Sequence, residues 1–223
     1  MKEKKTFILA VPTVIIIIVF LIAMPYLVYR KNYKPLSREQ AVTLSKKVLS
    51  ISNISCEIIT QNENEDEKVE DYKFKDNVLL SKYSNVIELT DGNDNNRCTY
   101  LDLTEKSKYI YNSPENIEKF KSYLNVAIEV LEDENYDYEF LKYEKMNGIK
   151  AAAIELSKND ATITIWLDRE SGMPIKMIEE YNIQSEKEKQ SKITTIYRYQ
   201  IGKVDDDALK LPDTTEFETT KMD

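Results

Sequence analysis

Residues 7–29 are apolar apart from Thr13, and no other stretch limits the architecture of this chain so tightly. At ~1.5 Å rise per residue, about 23 helical residues reach ~35 Å, enough to cross a hydrocarbon core of ~30 Å. Pro12 and Pro25 sit near the two ends, where a spanning helix tolerates proline best. Tyr26, Tyr29 and Tyr33 suit the interfacial belt on the exit side. A cleaved secretory signal would have a shorter apolar core followed by a small-x-small site, and IAMPYLVYRKN offers no such site. The first cysteine is Cys56, so no cysteine follows the apolar run for lipid attachment. The expectation is an uncleaved anchor over 7–29, with 1–6 as a short cytoplasmic tail and 30–36 as a tether. Basic residues flank both ends. Orientation therefore follows from the very short N-terminal tail, which places the long domain on the extracytoplasmic side.

Charge is divided unevenly about this segment. The first 34 residues hold six basic side chains and one acid, so 25 of the 31 basic and 38 of the 39 acidic residues follow, a net charge of −13. Such a domain is repelled by nucleic acid and by anionic headgroups, and a protein that docks on it needs a basic surface. Histidine is absent. That removes the commonest general base and metal ligand, together with every Ser-His or Cys-His nucleophile pair. Only 4 glycines against 15 tyrosines favour pleated, half-buried surfaces over a glycine-rich phosphate loop.

After the tether a helix start is well marked. Ser37 is the N-cap, Gln40 completes a capping box, and Leu36 and Ala41 occupy the staple positions. Ala41, Leu44 and Val48 continue at helical spacing, predicting a helix from Arg38 to about Ser50. Short β segments follow: CEIIT, VEDYKF, VLLSKY, VIELT, RCTYLDL and KYIYN, separated by polar turns. A second helix is expected with Ser113 as N-cap and Pro114 at its first position. Its apolar stripe is Ile117, Phe120, Leu124, Ile128 and Leu131, with Glu132, Asp133 and Glu134 passing into the next loop. YDYEFLKYEK and IKAAAIEL form a hairpin about Asn147–Gly148, a pair that favours a type I′ turn. ATITIWLD, MPIKMIEEYN and KITTIYRYQIGKV add strands before a short LKLP and a polar tail over 219–223. The pattern is α+β: a curved antiparallel sheet wrapped around helices, spanning residues 37–218.

Candidate site residues are few. Cys56 and Cys98 both fall in predicted strands; outside the cytoplasm they either pair or serve as small buried hydrophobes. Two cysteines without histidine make no zinc site. DGNDNN fails the calcium-loop pattern, since its glycine falls second and no closing glutamate follows, and reads as a hairpin turn. No motif marks a catalytic acid–base pair, and no cofactor or metal is expected. Tyr136, Tyr138 and Phe140 alternate along one strand, and Tyr197 and Tyr199 along another. These tyrosines are either a sheet face packed under a helix or an exposed aromatic strip for docking a partner.

The segment TITIWLDRESGMPIKMIEEYN gives the chain its resemblance to the LolA-like superfamily, which includes lipoprotein carriers and the sensor RseB. The residues that carry it are Trp166, Leu167, Asp168, Ser171, Gly172, Pro174, Ile175 and Lys176. ITTIYRYQIGKV and LKLPDTTEF fit as well, so the resemblance runs over about 37–217. It implies a half-barrel sheet wrapped around helices. Within that superfamily, the composition and the segment YIYNSPENIEKF resemble the clostridial GerS-like spore germination lipoproteins. The implied role is a non-catalytic activator of a cortex N-acetylmuramoyl-L-alanine amidase in sporulation or germination, with metal chemistry on the partner. Those relatives carry a lipidated cysteine where this chain has an apolar segment. A lipid or lipoprotein carrier or sensor is the alternative, and it needs a continuous apolar cavity. An envelope-stress sensor would have only the tail 1–6 for signalling. A protein partner is expected, docking on an exposed strip or at a free edge strand, and a homodimer is compatible with the pattern.

Overall fold

The computed structural model describes residues 34–63, 65–181 and 191–221. The expected anchor, the tail before it and the charged loop over 182–190 lie outside the described residues. Among the described residues, no helix is long and apolar enough to cross a membrane. Every element below lies within the unit Ser37–Asp223.

Helix α1 (Arg38–Ser45) starts as the sequence predicts. Ser37 accepts from the Gln40 backbone amide while the Gln40 side chain accepts from the Ser37 amide. The predicted helix does not stay α-helical to Ser50; Lys46–Ser50 tightens into a 3-10 turn. Helix α2 (Pro114–Glu132) buries Ile117, Phe120, Leu124, Ala127, Ile128 and Leu131, the predicted stripe with one alanine added. Ser113 precedes it without making a side-chain cap.

The strands are β1 (Asn53–Asn62), β2 (Lys68–Lys75), β3 (Val78–Tyr83), β4 (Val86–Asp91), β5 (Arg97–Asp102), β6 (Ser107–Asn112), β7 (Asp137–Met146), β8 (Ile149–Lys158), β9 (Ala161–Asp168), β10 (Pro174–Tyr181), β11 (Ser191–Ile201) and β12 (Glu218–Lys221). They form one curved, unclosed sheet in the order β12-β6-β5-β4-β3-β2-β1-β11-β10-β9-β8-β7. Twelve twisted strands curl of necessity, because each is rotated against its neighbour. Hairpins build the sheet from both ends, and the long-range β1–β11 pair joins the halves through nine residue pairs from Ile54↔Ile201 to Asn62↔Ile193. One expectation needs correcting. The C-terminal residues do not all form a tail, since Glu218–Lys221 adds to β6 as a parallel strand in an otherwise antiparallel sheet.

The core lies between α2 and the middle strands. Phe120 packs 5.0 Å from Tyr72 and 5.6 Å from Phe74, ring centre to ring centre, with Ile54, Cys56, Ile58, Leu79 and Tyr197 around them. Asn147 and Gly148 both hold positive φ, as a type I′ turn requires.

Candidate functional site

The Trp-Leu-Asp and Ser-Gly-x-Pro residues form the β9–β10 turn. The Asp168 carboxylate accepts from the Glu170 amide at 2.9 Å, from Ser171 Oγ at 2.5 Å and from Tyr199 Oη at 2.8 Å. Gly172 holds φ +77°, and a Cβ there would stand 2.0 Å from the Leu44 carbonyl oxygen, so the turn rests directly on the end of α1. Met173 enters the core beside it. Trp166 donates through its indole N–H to Glu144 on β7 and lies under Lys176 at 5.4 Å. Pro174 is buried where the β9–β10 register shifts. Gly172 thus seats the turn against α1, while Trp166 ties β9 to β7.

Burial pushes the Asp168 carboxyl up, but the bonds from Ser171, the Glu170 amide and Tyr199 outweigh it and hold the group below its ordinary value. A depressed carboxyl contributes stability above its unfolded value, ~3.9, and loses it as pH falls through the folded value. Asp168→Asn is therefore expected to cost about 2 kcal/mol at neutral pH. The gap between wild type and variant should close below about pH 4 in urea titrations.

The tyrosines divide. Tyr197 is 3% exposed and belongs to the core, and Tyr199 spends its hydroxyl on Asp168, so neither lies on an exposed docking strip. The alternating pair points inward because β11 is a central strand facing α2. Tyr138 is half-buried with the Arg38 guanidinium 5.7 Å above its ring, and Tyr136 lies under Lys158 at 5.4 Å. Both sit at the β7 end of the sheet. That edge is blunted for strand addition by a register shift between Phe140 and Lys142 and by the charges of Glu139, Lys142, Glu144 and Lys145. The cysteines do not pair. Cys56 is on β1 and Cys98 on β5 with three strands between them, roughly 19 Å at ~4.8 Å per strand, far beyond disulfide reach. Cys56 is a buried hydrophobe whose thiol burial pushes up to about 12, and Cys98 Sγ accepts from Asn116 at 3.4 Å.

A cleft of about 430 Å³ opens between α2 and strands β1, β2, β10 and β11. Ile58, Val126, Met177, Ile193 and Tyr197 give it apolar walls, while Glu70, Glu129 and Glu179 face it with Lys68 as its one cation. Glu70 is 6% exposed and pairs with Lys68 Nζ at 3.1 Å. Tyr181 donates to Glu179 at 2.7 Å; that bond, then burial, pushes the Tyr181 phenol up to about 12. Thr60, Ser122 and Thr195 also line it, and a cleft of mixed lining with excess negative charge suits an amphipathic segment bearing a basic group. Sequence reasoning missed Glu70. The signal was present, because the alternation in VEDYKF sets Glu70 on the same face as Tyr72 and Phe74.

No family model matches the sequence, and no curated protein does. Several solved structures are similar in fold. MucB in complex with MucA(peri) is 11% identical, covering 80% of this chain and 61% of that one at a TM-score of 0.44. This chain thus spans under two thirds of the MucB chain, and the same holds for the Pseudomonas aeruginosa MucA/MucB structure, of which it covers 64%. The lipoprotein LppX of Mycobacterium tuberculosis is 10% identical over 76% of this chain and 99% of that one, at 0.42. A LolA superfamily protein from Nitrosomonas europaea is 11% identical over 77% and 97%, at 0.24. None of these likenesses assigns an activity to this chain.

Proposed function

We propose that this chain is a non-catalytic binding protein, held at the outer face of a membrane by residues 7–29, whose α2–sheet cleft receives a segment of a protein partner. The cleft's lining carries this reading: apolar and polar walls set with three carboxylates against one lysine. The sequence resemblance supplies the identity of the partner, a cortex N-acetylmuramoyl-L-alanine amidase activated on binding, as in GerS-like spore proteins. A lipid or lipoprotein carrier would use the same space between sheet and helix. It is disfavoured because acyl chains gain nothing from Glu70, Glu129 and Glu179 and must desolvate them.

The test is co-elution and calorimetry of the full-length protein, in detergent, with the purified amidase. Val126→Trp is expected to fill the cleft and weaken the complex at least about tenfold, or ~1.4 kcal/mol, with a parallel loss of amidase stimulation. An amidase that neither binds nor responds would remove the activator role. Acyl chains retained through gentle extraction would instead place a lipid in the cleft.

A further inference from the structure

Beside the cleft, the sheet carries a second arrangement that the reading above does not use. Ser81↔Glu88, Glu88↔Tyr100 and Tyr100↔Tyr109 pair across β3–β6 as one row. Asn116 of α2 bonds Thr90 Oγ1 at 3.0 Å and Cys98 Sγ at 3.4 Å, which fixes the helix-facing side of β4 and β5. Glu88 and Tyr100 lie two residues away along those strands and share that side. Tyr111 is on the neighbouring row, opposite Cys98, and Tyr83 is opposite both Val86 and the cleft residue Glu70. All five of Tyr83, Glu88, Tyr100, Tyr109 and Tyr111 are half-buried, so solvent still reaches them.

The Glu88 carboxylate is met by hydroxyls, the Tyr83 phenol among them, but by no cation among the described residues. Tyr111 Oη donates to it at 3.2 Å and Ser81 Oγ at 3.4 Å, both long for O–H donors. Glu88 takes part in no ion pair among the described residues, although a carboxylate can accept about four hydrogen bonds and is costly to leave half-desolvated. Burial and then the Glu88 charge push the Tyr83 phenol upward, so that phenol stays neutral beside the acid. Tyr100 and Tyr109 meet edge to face at 5.8 Å and 65°. A carboxylate with neutral tyrosines on its own and the neighbouring rows attracts a cation through its charge, and an adjacent ring adds its quadrupole.

We propose that Glu88, with Tyr83, Tyr100, Tyr109 and Tyr111, forms a cage that binds a lysine or arginine side chain of a protein partner. The carboxylate makes the choice among cations. Lysine and arginine donate N–H bonds to it, whereas a quaternary ammonium has none to give. Charge complementarity agrees, since the chain after residue 34 carries a net charge of −13 and its partner must present basic residues. Only the source of the cation rests on the protein-partner reading; the cage is tested without any partner.

The experiment is an NMR titration of the full-length protein in detergent, with ring-labelled tyrosine assigned through single Tyr→Phe variants. The probes are Nα-acetyl-arginine amide, Nα-acetyl-lysine amide, choline and Nα-acetyl-norleucine amide. The cationic amino-acid amides should produce saturable shifts at Tyr83, Tyr100 and Tyr109. Glu88→Gln should weaken them at least about tenfold with the backbone spectrum unchanged. Tyr100→Leu should do the same, which keeps the test decisive if Glu88→Gln misfolds. The proposal is overturned if none of the probes shifts these rings, if norleucine amide does so equally, or if choline binds as tightly as the arginine amide. Unaltered binding in both variants overturns it as well. Any of these leaves the cleft to its own test at position 126.

Discussion

Phe120→Ala should destabilise the Ser37–Asp223 unit by about 3–5 kcal/mol, much of what a domain of this size possesses. Phe120 is 0% exposed and is the largest wholly buried side chain among the described residues. It projects from α2 between Tyr72 and Phe74, two residues of one strand face that no other ring among the described residues bridges in this way. Its removal leaves a cavity lined on one side by a helix and on the other by paired strands. Neither can collapse inward without breaking hydrogen bonds, so the cavity cost adds to the lost transfer energy. Urea unfolding followed by circular dichroism reads the effect directly, and Phe120→Leu should recover most of it. A loss under about 1 kcal/mol would mean that α2 is not the element that closes the core.

The second large effect belongs to a glycine. At Gly172, alanine meets two penalties at once: a left-handed φ of +77° and a backbone oxygen, that of Leu44, 2.0 Å from the new Cβ. The oxygen belongs to α1, so relief requires moving the helix. Gly148 isolates the first penalty, with φ +89° and nothing within 4 Å of an added Cβ. Gly148→Ala is expected to cost about 1–2 kcal/mol, and Gly172→Ala about 2 kcal/mol more than that. Thermal melts of the two variants side by side provide the comparison. Equal losses would show that the β9–β10 turn does not bear on α1.

Local signals in the sequence translated well into structure. The stripe of α2, the capping box at Ser37 and the Asn147–Gly148 turn each depend on residues within a few positions of one another, where the physics is settled locally. Facing was harder to read. Alternation places Tyr197 and Tyr199 on one side of β11, but which side meets the helix depends on β11 pairing with β1, more than a hundred residues earlier. The same holds for Cys56 and Cys98, whose separation is set by the three hairpin strands between them. Glu218–Lys221 has no apolar pattern to announce a strand, and its pairing with β6 is purely backbone. Glu70 and Glu88 looked like ordinary solvated acids in a chain with 39 of them, until the strand registers brought them to the helix side of the sheet.

The most direct measurement places a photo-activatable phenylalanine analogue at Tyr123, on the cleft wall, and separately at Lys82, exposed on the opposite face of the sheet. Each full-length variant is irradiated in detergent with the purified amidase. Crosslinking to the amidase from position 123 but not from 82, and its loss on adding Val126→Trp, is the expected result. Crosslinks from 82 alone, or from both positions alike and indifferent to Val126→Trp, would contradict a partner seated between α2 and the sheet.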